Sequence, residues 1–278
     1  IISVYFAGEP EQLNSGRTAI ESGRYQDALD LLGEVDVDDV DRDEVVSDVE
    51  YFRVVAQARL ASREDGADDA ISSVTAFLAG NKKSFHVPAA IELLGDLYAA
   101  SGQFEQARTQ YAKLGKAPSP FYKLKSAWLV GQTWQAEGDH EKARSLYRQV
   151  VESAEQSPAI DPIRLAATLD MAVSNAAAGD AAGSTAAIDK IIDEADPEDA
   201  DLLARAFNAL GDAQLAAGDK QAAKLAYLHV HLLYSSAESA HAKALSQLIP
   251  LWEDSGHADR ARQAAEILSR DYPNHSSR

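Results

Sequence analysis

The chain has 278 residues, 46% of them hydrophobic and 25% charged, a formal net charge of −18 and no cysteine. That apolar content supports a folded chain and not a disordered one, and the abundance of alanine favours helices that pack closely. The acidity and the lack of any basic run argue against nucleic acid and anionic membrane surfaces as partners, the missing thiols exclude disulfides and thiolate chemistry, and no apolar run approaches the ~20 residues that span a bilayer.

The chain opens Ile1-Ile2-Ser3-Val4-Tyr5-Phe6, without methionine, which reads as a processed or trimmed product. This β-branched and aromatic run predicts a short strand-like segment over 1–8, the remnant of a preceding β-rich region. After it come seven helical hairpins, placed near 9–33, 45–78, 88–116, 122–154, 161–194, 198–234 and 238–270. The connectors hold the breakers: Asn81-Lys82-Lys83-Ser84, Ala117-Pro118-Ser119-Pro120, Ser157-Pro158 with Asp161-Pro162, and Asp196-Pro197. Proline stops a helix it follows and starts one at its first turn. With no long linker, 9–270 is expected to form one continuous array, followed by a frayed tail over 271–278.

A recurring phrase supports these hairpins: glycine, any residue, often an aromatic, two more residues, then alanine. It stands as Gly23 to Ala28, Gly102 to Ala107 and Gly138 to Ala143, more weakly as Gly218 to Ala223 and Gly256 to Ala261, and in degenerate form as Asp65 to Ala70 and Gly179 to Ser184. A second glycine often sits seven residues earlier: Gly16, Gly95, Gly131 and Gly211. Four residues after the alanine comes a large apolar side chain, such as Leu32, Tyr111, Tyr147 or Tyr227. The leading glycine suits the left-handed backbone that ends a helix. The alanine marks a close helix crossing. The earlier glycine lies inside a helix at a cost of roughly 1 kcal/mol against alanine, which makes sense only if another helix presses on it.

These residues resemble the tetratricopeptide-repeat (TPR) family, most clearly at Ile91, Leu94-Gly95, Tyr98, Gly102, Phe104, Ala107 and Tyr111. The resemblance implies an all-α fold, a right-handed α-solenoid of about seven TPR-like helical hairpins. The family repeat is 34 residues, whereas the leading residues here recur at intervals of 36 to 42, so some helices or turns are expected to be longer. The resemblance also implies that the first helix of each hairpin lines a face that takes a protein or peptide. Carried onto this chain, that register points Arg17, Arg59, Glu92, Asp96, Lys125, Trp128, Gln132, Gln135, Arg205, Asn208, Asp212 and Lys243 toward the partner. Lys125, Trp128, Gln132 and Gln135 share one helical face, with Trp128 as the candidate anchor.

Other chemistry is thinly represented. The acidic run Asp36 to Glu44 has alternating carboxylates of the kind that ligate Ca²⁺, but lacks the glycine such a loop turns on; its simpler role is a solvated loop whose acids favour the next helix start. His229 and His231 are two residues apart, which points them about 200° apart on a helix and prevents a shared metal. There is no nucleophile elbow, P-loop or dinucleotide glycine fingerprint, so no catalytic role and no cofactor is expected. The expected function is a non-catalytic protein–protein interaction scaffold or adaptor. The alternative is a structural or assembly component of a bacterial cell envelope, acting through self-association or anchoring. Phrases such as Leu93-Leu94-Gly95-Asp96-Leu97-Tyr98 look like bacterial envelope TPR proteins, which points to a periplasmic or other extracytoplasmic location.

Overall fold

The computed structural model describes residues 5–6, 8–61 and 67–272. The strand-like reading of 1–8 falls mostly outside them, as do Asp65 and the tail from Pro273. The described residues form fourteen α-helices in two compact units, 1–114 and 115–278. The first unit holds α1 (Glu11–Glu21), α2 (Tyr25–Gly33), α3 (Asp43–Ala61), α4 (Ala67–Gly80), α5 (Val87–Ala100) and α6 (Phe104–Leu114). The second holds α7 (Pro120–Ala136), α8 (His140–Val151), α9 (Asp161–Ala177), α10 (Ala181–Glu194), α11 (Ala200–Ala216), α12 (Lys220–Leu233), α13 (Glu238–Asp254) and α14 (Ala258–Asp271). Paired in order they make seven hairpins, within a few residues of the bounds read from the glycine spacing.

The helix ends follow from local chemistry. Gly102 and Gly138 sit at φ 71° and 81°, a left-handed conformation that lets the chain leave one helix and enter the next; Gly23, Gly179, Gly218 and Gly256 share it. The side chains of Asp139, Asp180, Asp199 and Asp219 then accept from the N–H groups of Lys142, Gly183, Leu202 and Ala222, capping α8, α10, α11 and α12. Pro120 and Pro162 occupy first-turn positions of α7 and α9, where a missing N–H costs nothing.

The glycines inside first helices mark close approaches. A Cβ on Gly95 would lie 2.3 Å from Tyr111 Cε1, and on Gly131 or Gly211 it would lie 2.6 Å from Cε1 of Tyr147 or Tyr227. Gly16 is pressed in the same way by Leu32, at 2.7 Å. Each ring therefore lies flat across its hairpin, and its hydroxyl reaches a polar partner on the first helix: Tyr111 to Asp96 at 2.7 Å, Tyr147 to Gln135 at 2.7 Å and Tyr227 to Asp212 at 2.6 Å. Burial first, and then the facing carboxylates, raise all three phenols well above the tyrosine range. Ala28, Ala107, Ala143 and Ala223 have no solvent exposure, as close helix crossings require.

Within the first unit, α1 contacts α3 and α3 contacts α5; within the second, α7 contacts α9, α9 contacts α11 and α11 contacts α13. First helices thus lie side by side, each also packed on its own partner, so each hairpin completes its core on its neighbours. The expected lengthening falls in these helices: α7, α9, α11 and α13 run 17 residues each, against 14 for α5. At the far end of the second unit, His231 Nδ1 lies 2.8 Å from His241 Nε2, and His241 Nδ1 lies 2.7 Å from the Tyr272 hydroxyl. This chain ties the end of α14 to α12 and α13, and burial holds both imidazoles below the usual histidine range. No described helix is long and apolar enough to cross a membrane.

Candidate functional site

The side-by-side first helices of the second unit line an open groove of about 510 Å³. Trp128 and Gln132 reach it from α7, Asp170 from α9, Arg205, Asn208 and Asp212 from α11, and Lys243 from α13. These positions are four or three residues apart along their helices, so they stack on one face.

The floor of the groove is a polar network. Asp170 Oδ2 accepts from the Trp128 indole N–H at 2.8 Å and from Gln132 Nε2 at 3.1 Å. Lys243 Nζ donates to Asp212 Oδ2 at 2.6 Å, while the other Asp212 oxygen takes the Tyr227 hydroxyl. Burial pushes the Asp170 carboxyl above the carboxylate range; the Trp128 bond, the Lys243 charge and the Gln132 bond oppose this, and Asp212 adds to it. Burial alone would depress Lys243, but the charge and hydrogen bond of Asp212, helped by Asp170, hold its amine above the lysine range.

Asn208 differs from its neighbours. It is only 3% exposed, and its Nδ2 donates to the Ala240 carbonyl at 2.8 Å. Its Oδ1 is buried with no hydrogen-bond partner. Reversing the amide would set its oxygen against the Ala240 carbonyl oxygen, so the orphan acceptor is a consequence of the packing. A buried acceptor left without a donor costs about 1–3 kcal/mol.

The residues expected to face a partner divide between the two units. Of those in the second unit, Trp128, Gln132, Arg205, Asn208, Asp212 and Lys243 line this groove together. Trp128 is half-buried and its N–H is committed to Asp170, so it forms wall and floor in one residue. Gln135 does not line it; its Oε1 accepts from Tyr147 Oη and from Ser174 Oγ at 3.1 Å, joining α7, α8 and α9. Lys125 lies over the Phe121 ring at 5.7 Å.

In the first unit, Arg17 is 4% exposed, not presented to solvent, because Glu9 at 2.8 Å and Asp48 at 2.5 Å hold its guanidinium. Asp48 also meets His86 Nε2 at 2.8 Å, and His86 stacks on Tyr51 at 3.9 Å. The Tyr51 phenol is pushed up to about 12 by burial and by Glu92, with Arg59 opposing, which places both charged residues near that ring. The Asp96 carboxylate is engaged by the Tyr111 hydroxyl. A wider hollow of about 650 Å³ lies between the start of α3 and the 80–85 turn. Its polar groups largely satisfy one another, with Ser47 bonded to Ser84 at 2.7 Å and Glu50 to Asn81 at 2.6 Å. In the acidic run, Asp36 caps the short 3₁₀ turn Val37–Asp39, and Asp43 and Glu44 open α3. Among the described residues, no group of three or more His, Asp or Glu is placed to hold a metal.

Asp170 is the groove residue that the repeat register does not point out. It lies nine residues before Gly179, the place held by Leu129 before Gly138 and Ala209 before Gly218. The available signal is a carboxylate standing alone in the apolar middle of α9, between Leu169 and Met171.

Helical hairpins closed by glycine and tyrosine, with first helices lining a polar groove, define a protein of the tetratricopeptide-repeat fold. No family model matches the chain, and no curated protein matches it. Among solved structures it is similar to a tetratricopeptide repeat protein from Parabacteroides merdae, at 16% identity over 93% of this chain and 91% of that one, with a TM-score of 0.61. It is also similar to the apo form of the quorum sensor NprR from B. thuringiensis, at 19% identity over 92% and 74% of the two chains, with a TM-score of 0.63. The complex of NprR with its cognate peptide NprX aligns at 13% identity over 95% and 78%, with a TM-score of 0.55. At these identities the shared property is the fold, and the fold is that of TPR proteins.

Proposed function

We propose that the chain is a non-catalytic interaction protein whose second unit binds an extended peptide, or an extended segment of a protein, in the groove formed by α7, α9, α11 and α13. The observation that carries this reading is the geometry of that groove, which runs open across four side-by-side first helices with Trp128 half-buried on its wall. The rest of the groove suits the same ligand: an indole wall for apolar contact, and charged groups already fixed in place by hydrogen bonds, so little ordering remains on binding. The tetratricopeptide-type fold of NprR in complex with its cognate peptide supports the reading.

A display library of short linear random peptides, panned against the whole chain, tests it. Enriched peptides are expected to bind the unaltered protein and to lose at least about tenfold in affinity to Trp128→Ala, the effect of losing one large apolar contact. A thermal melt of the variant establishes that it is folded, and Gln132→Ala serves as a second groove variant. No enrichment, or enriched peptides indifferent to both variants, overturns the reading.

A further inference from the structure

We infer that the peptide taken by this groove joins a medium-sized apolar residue to a neighbouring basic residue, the apolar side chain entering a second cavity beside the groove. The inference rests on the peptide-binding reading above and specifies the ligand of that site. The second cavity, about 450 Å³, is walled by Pro158, Pro162, Leu165 and Leu202. It shares Ala166, Leu169, Asp201 and Arg205 with the groove, so one ligand spans both. Its wall is stiff: Pro162 is fixed in the first turn of α9, and Leu202 sits in the first turn of α11, held by the Asp199 cap at 3.0 Å. A preformed apolar hollow of this kind selects a side chain that fills it.

The charge at the mouth is negative. Asp161, Asp199 and Asp201 ring the apolar cavity, and Asp170 and Asp212 lie in the adjoining floor. Against these five carboxylates stand three cations: Arg164 pairs with Asp161 at 2.9 Å, Lys243 is held by Asp212 at 2.6 Å, and Arg205 faces the remaining three carboxylates. Asp199 and Asp201 are exposed at the rim, Asp199 capping α11 and Asp201 with no ion pair or hydrogen bond among the described residues. A basic residue next to the apolar one meets that rim, whereas an acidic one meets repulsion. The net charge of −18 acts in the same direction by drawing cationic ligands toward the protein. Carboxylates alone do not make a site; here the apolar cavity lies beside them and shares Asp201 and Arg205 with the groove.

The test begins with the same display library of short linear peptides and continues with synthetic versions of the enriched ones. The enriched set is expected to carry an apolar residue beside Lys or Arg. Replacing the apolar residue with Ala is expected to weaken binding about tenfold. Binding is also expected to weaken with added salt. On the protein side, exposed Asp201→Lys is expected to weaken basic peptides and to improve versions with Glu in place of the basic residue, while Leu202→Ala lowers affinity for the apolar anchor. Enriched peptides that require Trp128 but are acidic, or lack the apolar residue, overturn this inference and leave the peptide-binding reading standing. So does an affinity unchanged by Asp201→Lys. Concentration-dependent self-association abolished by Asp201→Lys assigns the cavity to a second copy of the chain and overturns it as well. A library that yields no binder overturns both readings.

Discussion

Ala107→Glu is expected to destabilise the first unit by about 3 to 5 kcal/mol, because it buries a carboxylate that has no partner. Ala107 lies on α6 with no exposure, on the same face as Tyr111 and Leu114, where α5 and α6 pack. A glutamate there either stays charged in an apolar crossing or takes a proton at a cost that grows with pH, and it also forces the two helices apart. That cost is a large share of the stability of an ordinary domain, about 5–15 kcal/mol. Thermal unfolding followed by circular dichroism is expected to show a fall of more than about 10 °C. The neighbouring Gln106→Glu introduces the same group at an exposed position and is expected to stay within about 0.5 kcal/mol of the unaltered chain. Equal melts for the two variants contradict the assignment of Ala107 to the crossing.

Gly95→Ala is expected to destabilise by about 1–3 kcal/mol, although alanine is the better helix former by roughly 1 kcal/mol. The added methyl lies 2.3 Å from Tyr111 Cε1, and the ring has little freedom to move. Tyr111 is 3% exposed and its hydroxyl is held by Asp96. Moving the ring aside breaks that bond and opens a void. Gly33→Ala is the matched control: Gly33 closes α2, and a Cβ there meets nothing within 4 Å. Its expected effect is neutral or stabilising by a few tenths of a kcal/mol. Opposite signs for the two glycines, read from urea unfolding, establish the close approach; the same sign for both contradicts it.

The parts of this fold that follow from short spacings were legible in the sequence. Gly95 with Tyr111 and Gly131 with Tyr147 lie within one hairpin, so their contact is set by helical periodicity and one turn. The site was legible only where that same register holds. Asn208, Asp212, Trp128 and Gln132 sit at equivalent places before Gly218 and Gly138, and the structure gathers them on one groove. The register fails for interactions between distant segments. Arg17 occupies a position that the repeat directs outward, yet Asp48, 31 residues on, draws it into the interior. Gln135 is taken up by Ser174, 39 residues away. Asp170 escapes notice because α9 belongs to one of the two degenerate repeats, in which Ala172 stands where four other copies have the pressed glycine. The orphan oxygen of Asn208 is likewise a three-dimensional fact, made by the Ala240 carbonyl on the next hairpin. The division into units at Leu114 coincides with the Ala117-Pro118-Ser119-Pro120 connector, where proline removes backbone donors between α6 and α7.

The most direct measurement is amide hydrogen exchange of the whole chain, with and without a saturating enriched peptide, followed by mass spectrometry. The account predicts that protection gained on binding is concentrated in α9, α11 and α13 and in the Trp128 region of α7, with little change in α8, α10, α12 and α14. Protection confined to those second helices, or to residues 8–114, would contradict it.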